Sequence, residues 1–213
     1  MTEYLTEQEQ IEILKSWIKQ YSLVILAGVM IAIISMSAWR FWDQRQTKIL
    51  DHASSVYDEM LTMRAQNQLS ETEVQNKKLF SHYEQTIYGK MAGLMFARTD
   101  VVKNNYSDAE KQLQWVIDHA KVDAFKEIAR IRLARLLIAE KNPQAALNML
   151  NTVNDKNFGG LINEVRGDAY LAENKPNDAR AAYQLAISQL PNADVIRPLL
   201  QMKYDNLSTS TPS

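Results

Sequence analysis

The sequence contains no cysteine, and its 213 residues include only 6 glycines, 5 prolines and 3 histidines. Without cysteine there is no disulfide, no thiolate zinc site and no cysteine nucleophile. The absence leaves the redox compartment open, because cysteine-free chains occur on both sides of a membrane. Scarce glycine and proline leave few places for tight turns and favour long helices. His52, His82 and His119 are not spaced to share a metal, and no HExxH, phosphate-loop or nucleophile-elbow pattern occurs. The expected cofactor is therefore none, the expected metal is none, and no catalytic constellation argues for an enzyme. An excess of one charge is missing too. The net charge is −1, and from Asp43 to Ser213 there are 21 basic and 21 acidic residues. A nucleic-acid surface needs a basic excess, so nucleic acid is not an expected partner.

What is present is a long uncharged run, "LVILAGVMIAIISMSAW" from Leu23 to Trp39, in a chain whose mean hydropathy is only −0.32. No charge falls in the 20 residues between Lys19 and Arg40. At about 1.5 Å per residue these span roughly 30 Å, the hydrocarbon thickness of a bilayer. A surface helix would carry polar residues on every turn, and this one does not. Trp17, Tyr21, Trp39, Phe41 and Trp42 flank the run as interfacial aromatics do, and Lys19 and Arg40 sit where they can snorkel outward. Ser35-Met36-Ser37 has signal-peptidase spacing, but the preceding tail carries Glu3, Glu7, Glu9 and Glu12 instead of a basic region, so the run reads as an uncleaved anchor. Basic residues number two before it (Lys15, Lys19) and three just after it (Arg40, Arg45, Lys48), a difference of one that leans weakly towards a cytoplasmic C-terminal side and is too slight to set the orientation. Gly28, Ala32 and Ser35 make a small-residue face suited to helix packing. Ahead of the run, Thr6 and Glu9 form a capping-box pattern, and Ile11, Leu14, Ile18 and Tyr21 fall on one stripe. That tail is expected to lie against membrane lipid as an amphipathic helix.

From Gln44 onward apolar residues recur at helical spacing. In "KNNYSDAEKQL", "EKNPQAALNML" and "ENKPNDARAAY" a polar turn leads to an alanine followed four residues later by a large side chain: Ala109 with Leu113, Ala146 with Leu150, Ala179 with Tyr183. The alanines lie 37 and 33 residues apart. A period near 34 predicts stacked helix-turn-helix repeats of the tetratricopeptide kind. In the last copy Gly167, Tyr170, Ala179, Tyr183, Ala186 and Pro191 match that pattern. Gly167 and Ala179 are small because two helices cross there, the tyrosines fill space between repeats, and Pro191 stops the second helix. The middle copy keeps Ala134 and Ala146, and the first keeps Ala97, Tyr106 and Ala109. Residues 44–86 read as a helix pair without the signature, joined to the array around Tyr88-Gly89. Arg197 to Leu207 reads as a cap and the "STSTPS" tail as disordered. The expected fold is all-α: a tail over 1–21, a transmembrane helix over 22–42, a tetratricopeptide-like domain over 43–207 and a tail over 208–213.

With the "WRFW" run (Trp39 to Trp42), "IRLARLLIAEKNPQAALNML", "VRGDAYLAENKPNDARAAY" and the ending "QMKYDNL", the whole chain resembles the YfgM family, ancillary subunits of the bacterial SecYEG translocon. The resemblance implies a single-pass inner-membrane protein with a cytoplasmic tail and a periplasmic domain. It also implies association with SecYEG, with a PpiD-like periplasmic chaperone and with translocating polypeptides, which the protein helps pass to chaperones. The alternative is a membrane-tethered scaffold or regulator that binds another partner through its repeats or its tail.

In tetratricopeptide arrays the first helix of each repeat lines the concave face. The expected inward residues are Met91, Leu94 and Arg98 in the first copy, Ile128, Ile131, Arg135 and Ile138 in the second, and Leu161, Glu164 and Asp168 in the third. Such a groove is apolar with two arginines, suited to a segment bearing hydrophobic anchors and a carboxylate. The plainer reading is that Arg135 pairs with Glu164 or Asp168 and the apolar residues pack as core.

Overall fold

A computed structural model describes residues 7–153, 156–190 and 196–208. Thr6, Pro191 and residues 209–213 lie outside these, and with them the capping box, the proline stop and all of the C-terminal tail after Ser208. The described residues form helices and turns with no strand. The chain divides into two compact units, Met1–His52 and Ala53–Ser213.

The first unit is the leading part of α1 (Glu7–Ala65), a helix with no break at residue 21 or 42. From Leu23 to Trp42 its large apolar side chains are exposed, Leu23 to 79% and Trp39 to 69%. Nothing lies within 4 Å of where a Cβ on Gly28 would stand. An apolar stretch that long, uncovered by protein, matches lipid as its solvent. Among the described residues this is the one helix long and apolar enough to cross a membrane.

The second unit holds the end of α1, then α2 (Leu69–His82), α3 (Ile87–Val102), α4 (Tyr106–His119), α5 (Asp123–Ala139), α6 (Pro143–Leu150), a 3-10 turn (Lys156–Phe158), α7 (Gly159–Ala172), α8 (Pro176–Gln189) and α9 (Ile196–Ser208). Four of its turns are built alike. Asn67, Asn104, Lys141 and Asn174, spaced 37, 37 and 33 residues apart, have φ of 60°, 61°, 62° and 58°. In each, the next residue's N–H donates to a carbonyl five residues back, as Asn105 does to Asp100 at 2.8 Å and Asn142 to Leu137 at 2.8 Å. The left-handed residue donates three back, as Asn104 does to Val101 at 3.1 Å. This is the Schellman ending, which satisfies the last carbonyls of a helix and turns the chain sharply. The Cβ of any L-residue crowds the following carbonyl in the left-handed region; asparagine's short amide offsets this by hydrogen bonding locally, and the lysine stem has no such group.

Counted by these turns, the described residues form four hairpins: the end of α1 with α2, α3 with α4, α5 with α6, and α7 with α8. Of residues 44–86, those from Ala53 onward therefore belong to the repeat. Their signature is missing because Met60 and Thr72 occupy the places of the small pairs Ala97/Ala109, Ala134/Ala146 and Gly167/Ala179. Two small residues let helix backbones approach, and a methionine against a threonine keeps them apart. Accordingly, α3–α4, α5–α6 and α7–α8 run close together, and α1–α2 does not. In the last hairpin a Cβ on Gly167 would fall inside the Tyr183 ring.

The joint to the second hairpin lies at residues 83–86, ahead of Tyr88 and Gly89, which belong to α3. Thr86 caps α3 by accepting from the Gly89 N–H at 3.1 Å. A Cβ on Gly89 would meet the Tyr83 carbonyl and Glu84, so only glycine fits this approach. Lys90, 4% exposed, donates to the Glu84 carbonyl at 2.6 Å and lies 4.0 Å from the Trp115 ring centre. Burial lowers its pKa, Lys121 adds to the lowering, and Glu84 opposes it. Pro143 and Pro176 open α6 and α8, where a missing N–H costs nothing.

The core is a chain of clusters. Ala53, Val56, Met60, Leu79 and Ala92 form one, and Leu94, Leu113, Val116 and Leu133 another. Ile131, Leu150, Ile162 and Val165 form a third, and Ala179, Tyr183, Ala186 and Leu200 the last. Leu137 and Met149 pack on both middle clusters, and Tyr170 on the last two, so each hairpin buries its apolar face against the next. α9 closes the end through Leu200, which is fully buried.

Candidate functional site

The first helix of each hairpin presents two recurring places, ten and six residues ahead of the left-handed turn residue. They hold Tyr57 and Leu61, then Leu94 and Arg98, then Ile131 and Arg135, then Glu164 and Asp168. Leu94 and Ile131 are buried in core clusters. Ile128 packs on the first of these, and Ile138 and Leu161 on the second, all half-buried, as is Met91. Most of the apolar residues of the expected groove thus contribute to the core, and the side chains left exposed are Arg98 and Arg135.

At the fourth hairpin the acidic pair is fully engaged. Arg135 donates to Glu164 at 2.9 Å, and Lys203 on α9 donates to Glu164 at 3.4 Å and to both Asp168 oxygens at 2.8 and 3.0 Å. The Tyr183 hydroxyl donates to Asp168 at 2.7 Å. Burial raises the Tyr183 pKa most, and the Asp168 hydrogen bond and the charges of Asp168 and Glu164 raise it further. Glu164 is 7% exposed, and its two oxygens take one cation each.

At the second and third hairpins the balance reverses. Arg132 donates to the Leu94 carbonyl at 3.0 Å and has no carboxylate among the described residues. Its pKa is lowered first by partial burial, then by the positive charges of Arg135 and Arg98. Arg98 has no hydrogen bond or ion pair with any described residue. The reason is visible in the repeat. Arg135 meets Glu164 on the following hairpin, whereas the place equivalent to Glu164 one hairpin earlier holds Ile131.

Two recesses open on these cations. The larger, about 540 Å³, is walled by Tyr57, Leu61, Leu69, Leu94, Met95 and Val102, with Arg64, Thr72, Glu73, Asn76, Arg98, Thr99, Lys103 and Arg132. The smaller, about 420 Å³, is walled by Ala97, Val101, Val102, Leu113, Leu136 and Ala139, with Arg98, Arg132 and Arg135. Arg98, Val102 and Arg132 line both. The larger recess adjoins the wide first hairpin. There Asn76, 4% exposed and with Oδ1 unpaired, takes the place that Leu113, Leu150 and Tyr183 fill in the others. Arg132 is absent from a reading by repeat position, which selects one inward residue per turn. Its signal was the three-residue spacing to Arg135 in "IRLAR", which puts both guanidinium groups on one face.

An N-terminal apolar helix followed by four Schellman-turned hairpins is the architecture of a membrane-anchored tetratricopeptide protein. A family profile described as a tetratricopeptide repeat-like domain matches residues 15–209, and the chain belongs to that class. The chain is 30% identical to the ancillary SecYEG translocon subunit of Neisseria gonorrhoeae (strain ATCC 700825 / FA 1090) over 209 residues, 97% of this chain and 100% of that one. It is 26% identical to the Escherichia coli (strain K12) protein of the same name, over 96% of this chain and 98% of that one. The Haemophilus influenzae (strain ATCC 51907 / DSM 11121 / KW20 / Rd) protein so named is 24% identical, over 95% and 98%. Within the tetratricopeptide class, the chain belongs to the YfgM family of ancillary SecYEG translocon subunits.

Proposed function

We propose that this protein is a non-enzymatic interaction module tethered beside the SecYEG translocon, with its tail in the cytoplasm and its repeat domain in the periplasm. There it receives emerging polypeptides and passes them to membrane-anchored periplasmic chaperones of the PpiD kind. The observation that carries the reading is the coupling, in one chain, of a helix fit to cross a bilayer with a repeat array that leaves cations and apolar recesses open along its first three hairpins. Similarity to translocon subunits over nearly the full length supports the choice of partner. An anchor confines the groove to the membrane surface, where a secreted chain first appears, and so raises the encounter concentration without requiring tight binding.

Two measurements test this. A tagged full-length chain solubilised in mild detergent is expected to co-purify with SecY, and its absence from SecY-containing complexes would overturn the assignment. Protease added to spheroplasts is expected to digest the repeat domain and spare the first twenty or so residues. A protected domain would place it in the cytoplasm and exclude the hand-off.

A further inference from the structure

The open cations of the second and third hairpins differ from an ordinary charged surface in two respects. They lack carboxylate partners, although the adjoining hairpin supplies one to Arg135. They also stand between two apolar recesses, with Arg98 and Arg132 forming a wall of each. A guanidinium pair so placed attracts an anion, and planar forks favour a carboxylate. A free anion would leave both recesses empty. A chain terminus has its carboxylate at the end, with apolar residues on one side of it only, and would fill one recess. A segment with an acidic side chain in its interior and a large apolar residue on each side fills both while it neutralises the arginines.

We infer that the Arg98–Arg132 pair recognises an internal aspartate or glutamate of a bound polypeptide, whose flanking apolar side chains occupy the recess beside Tyr57 and Leu69 and the recess beside Leu113 and Leu136. The inference rests on the reading of the array as a polypeptide-binding module and adds its selection rule: apolar, acidic, apolar. Arg135 is not the recognition group, because Glu164 already holds it at 2.9 Å. The fourth hairpin is not part of the site, because its acidic groups are held by Lys203.

The test uses the full-length chain in nanodiscs of uncharged lipid and three fluorescein-labelled twelve-residue peptides. The first has a central Glu between two Leu anchors, the second has Gln in its place, and the third carries the Glu as its last residue beyond both anchors. The central-Glu peptide is expected to bind about tenfold more tightly than the Gln peptide, with the advantage shrinking as salt rises. Arg98→Ala, which removes an exposed side chain without intrachain partners and so should leave the melting temperature unchanged, is expected to erase the advantage. Arg98→Glu is expected to transfer it to a peptide with central Lys, a reversal that a loss of structure would not produce. Equal binding of the Glu and Gln peptides, or a Glu preference that survives Arg98→Ala, would overturn the inference. Tightest binding by the third peptide would also overturn it, in favour of a chain terminus. Co-purification of wild-type protein with SecY is scored separately, so a failed peptide preference with intact SecY association sinks this inference alone.

Discussion

Ten and six residues ahead of its turn, the fourth hairpin carries Glu164 and Asp168, and the second carries Leu94 and Arg98 at the same two places. The backbone is repeated while the chemistry is inverted. In the fourth hairpin Glu164 and Asp168 both meet a cation or hydroxyl of their own chain, and α9 supplies the lysine that completes the network. In the second, Arg98 is open. Packing differs in the same sense. Gly167 and Ala179 bring α7 and α8 together over Tyr183, whereas Met60 and Thr72 hold α1 and α2 apart beside a recess of about 540 Å³. One end of the array joins its acidic pair into a closed network, and towards the other Arg98 and Arg132 are left without a carboxylate.

The largest effect is expected where the packing is tightest. Gly167→Leu forces a side chain into the Tyr183 ring and should cost about 3 kcal/mol or more, lowering the melting temperature by roughly 10 °C. Met60 already shows that the first hairpin accepts a long side chain at the equivalent place. An unchanged melting temperature for Gly167→Leu would make the two ends alike and break the comparison.

The polar network gives the next test. Tyr183→Phe removes a hydroxyl that donates to a charged acceptor and should cost about 1–2 kcal/mol. The sign of its pH dependence follows from the raised folded-state pKa. The hydroxyl's contribution is fully present below the unfolded value of about 10 and declines as the pH rises past it. Wild type and Tyr183→Phe should therefore converge in denaturant midpoint above that pH, and parallel curves would show that burial and Asp168 together do not hold the hydroxyl protonated.

At the open end, Asn76→Leu supplies the residue type found at Leu113 and Leu150 and removes an unpaired buried oxygen. It is expected to raise stability by about 1 kcal/mol and to narrow the larger recess. Loss of stability in urea unfolding would mean that Asn76 holds the first hairpin together. The smallest effect belongs to the turns. Lys141→Gly relieves the one lysine among the left-handed residues and should stabilise by about 0.5–1 kcal/mol. No gain would mean that the lysine stem is satisfied in that turn.

The all-α class, the apolar anchor and the last repeat were legible because each rests on local chemistry: an uncharged run of membrane length, helical periodicity, and small residues at the crossing of two helices. The first hairpin was not legible as a repeat, because a search for alanine followed by a large side chain passes over Thr72 and Asn76. The turn chemistry was there all the same, in "AQNQL", where Asn67 does what Asn104 and Asn174 do. The candidate site was half legible. Repeat position led to Arg98 and Arg135, and the plainer reading already paired Arg135 with Glu164 or Asp168, as it is, but it did not tell that Arg98 stays open. That depends on whether the next helix presents Ile131 or Glu164, a fact about neighbours across the array.

The order in which the hairpins contact one another has a consequence for how the chain acquires its structure. Close helix approaches join elements adjacent or nearly adjacent along the chain, and bonds such as Arg132 to Leu94 or Lys203 to Glu164 bridge 38 and 39 residues, about one repeat. Topology of this kind folds quickly and needs no distant segment to arrive first. As the chain is extruded from its amino end, each hairpin can close on the one before it, and the open arginine at position 98 is in place before the lysine at 203 has emerged. The hairpin that carries Arg98 can thus be complete before the helix that carries Lys203 has been made, and the far end is sealed last.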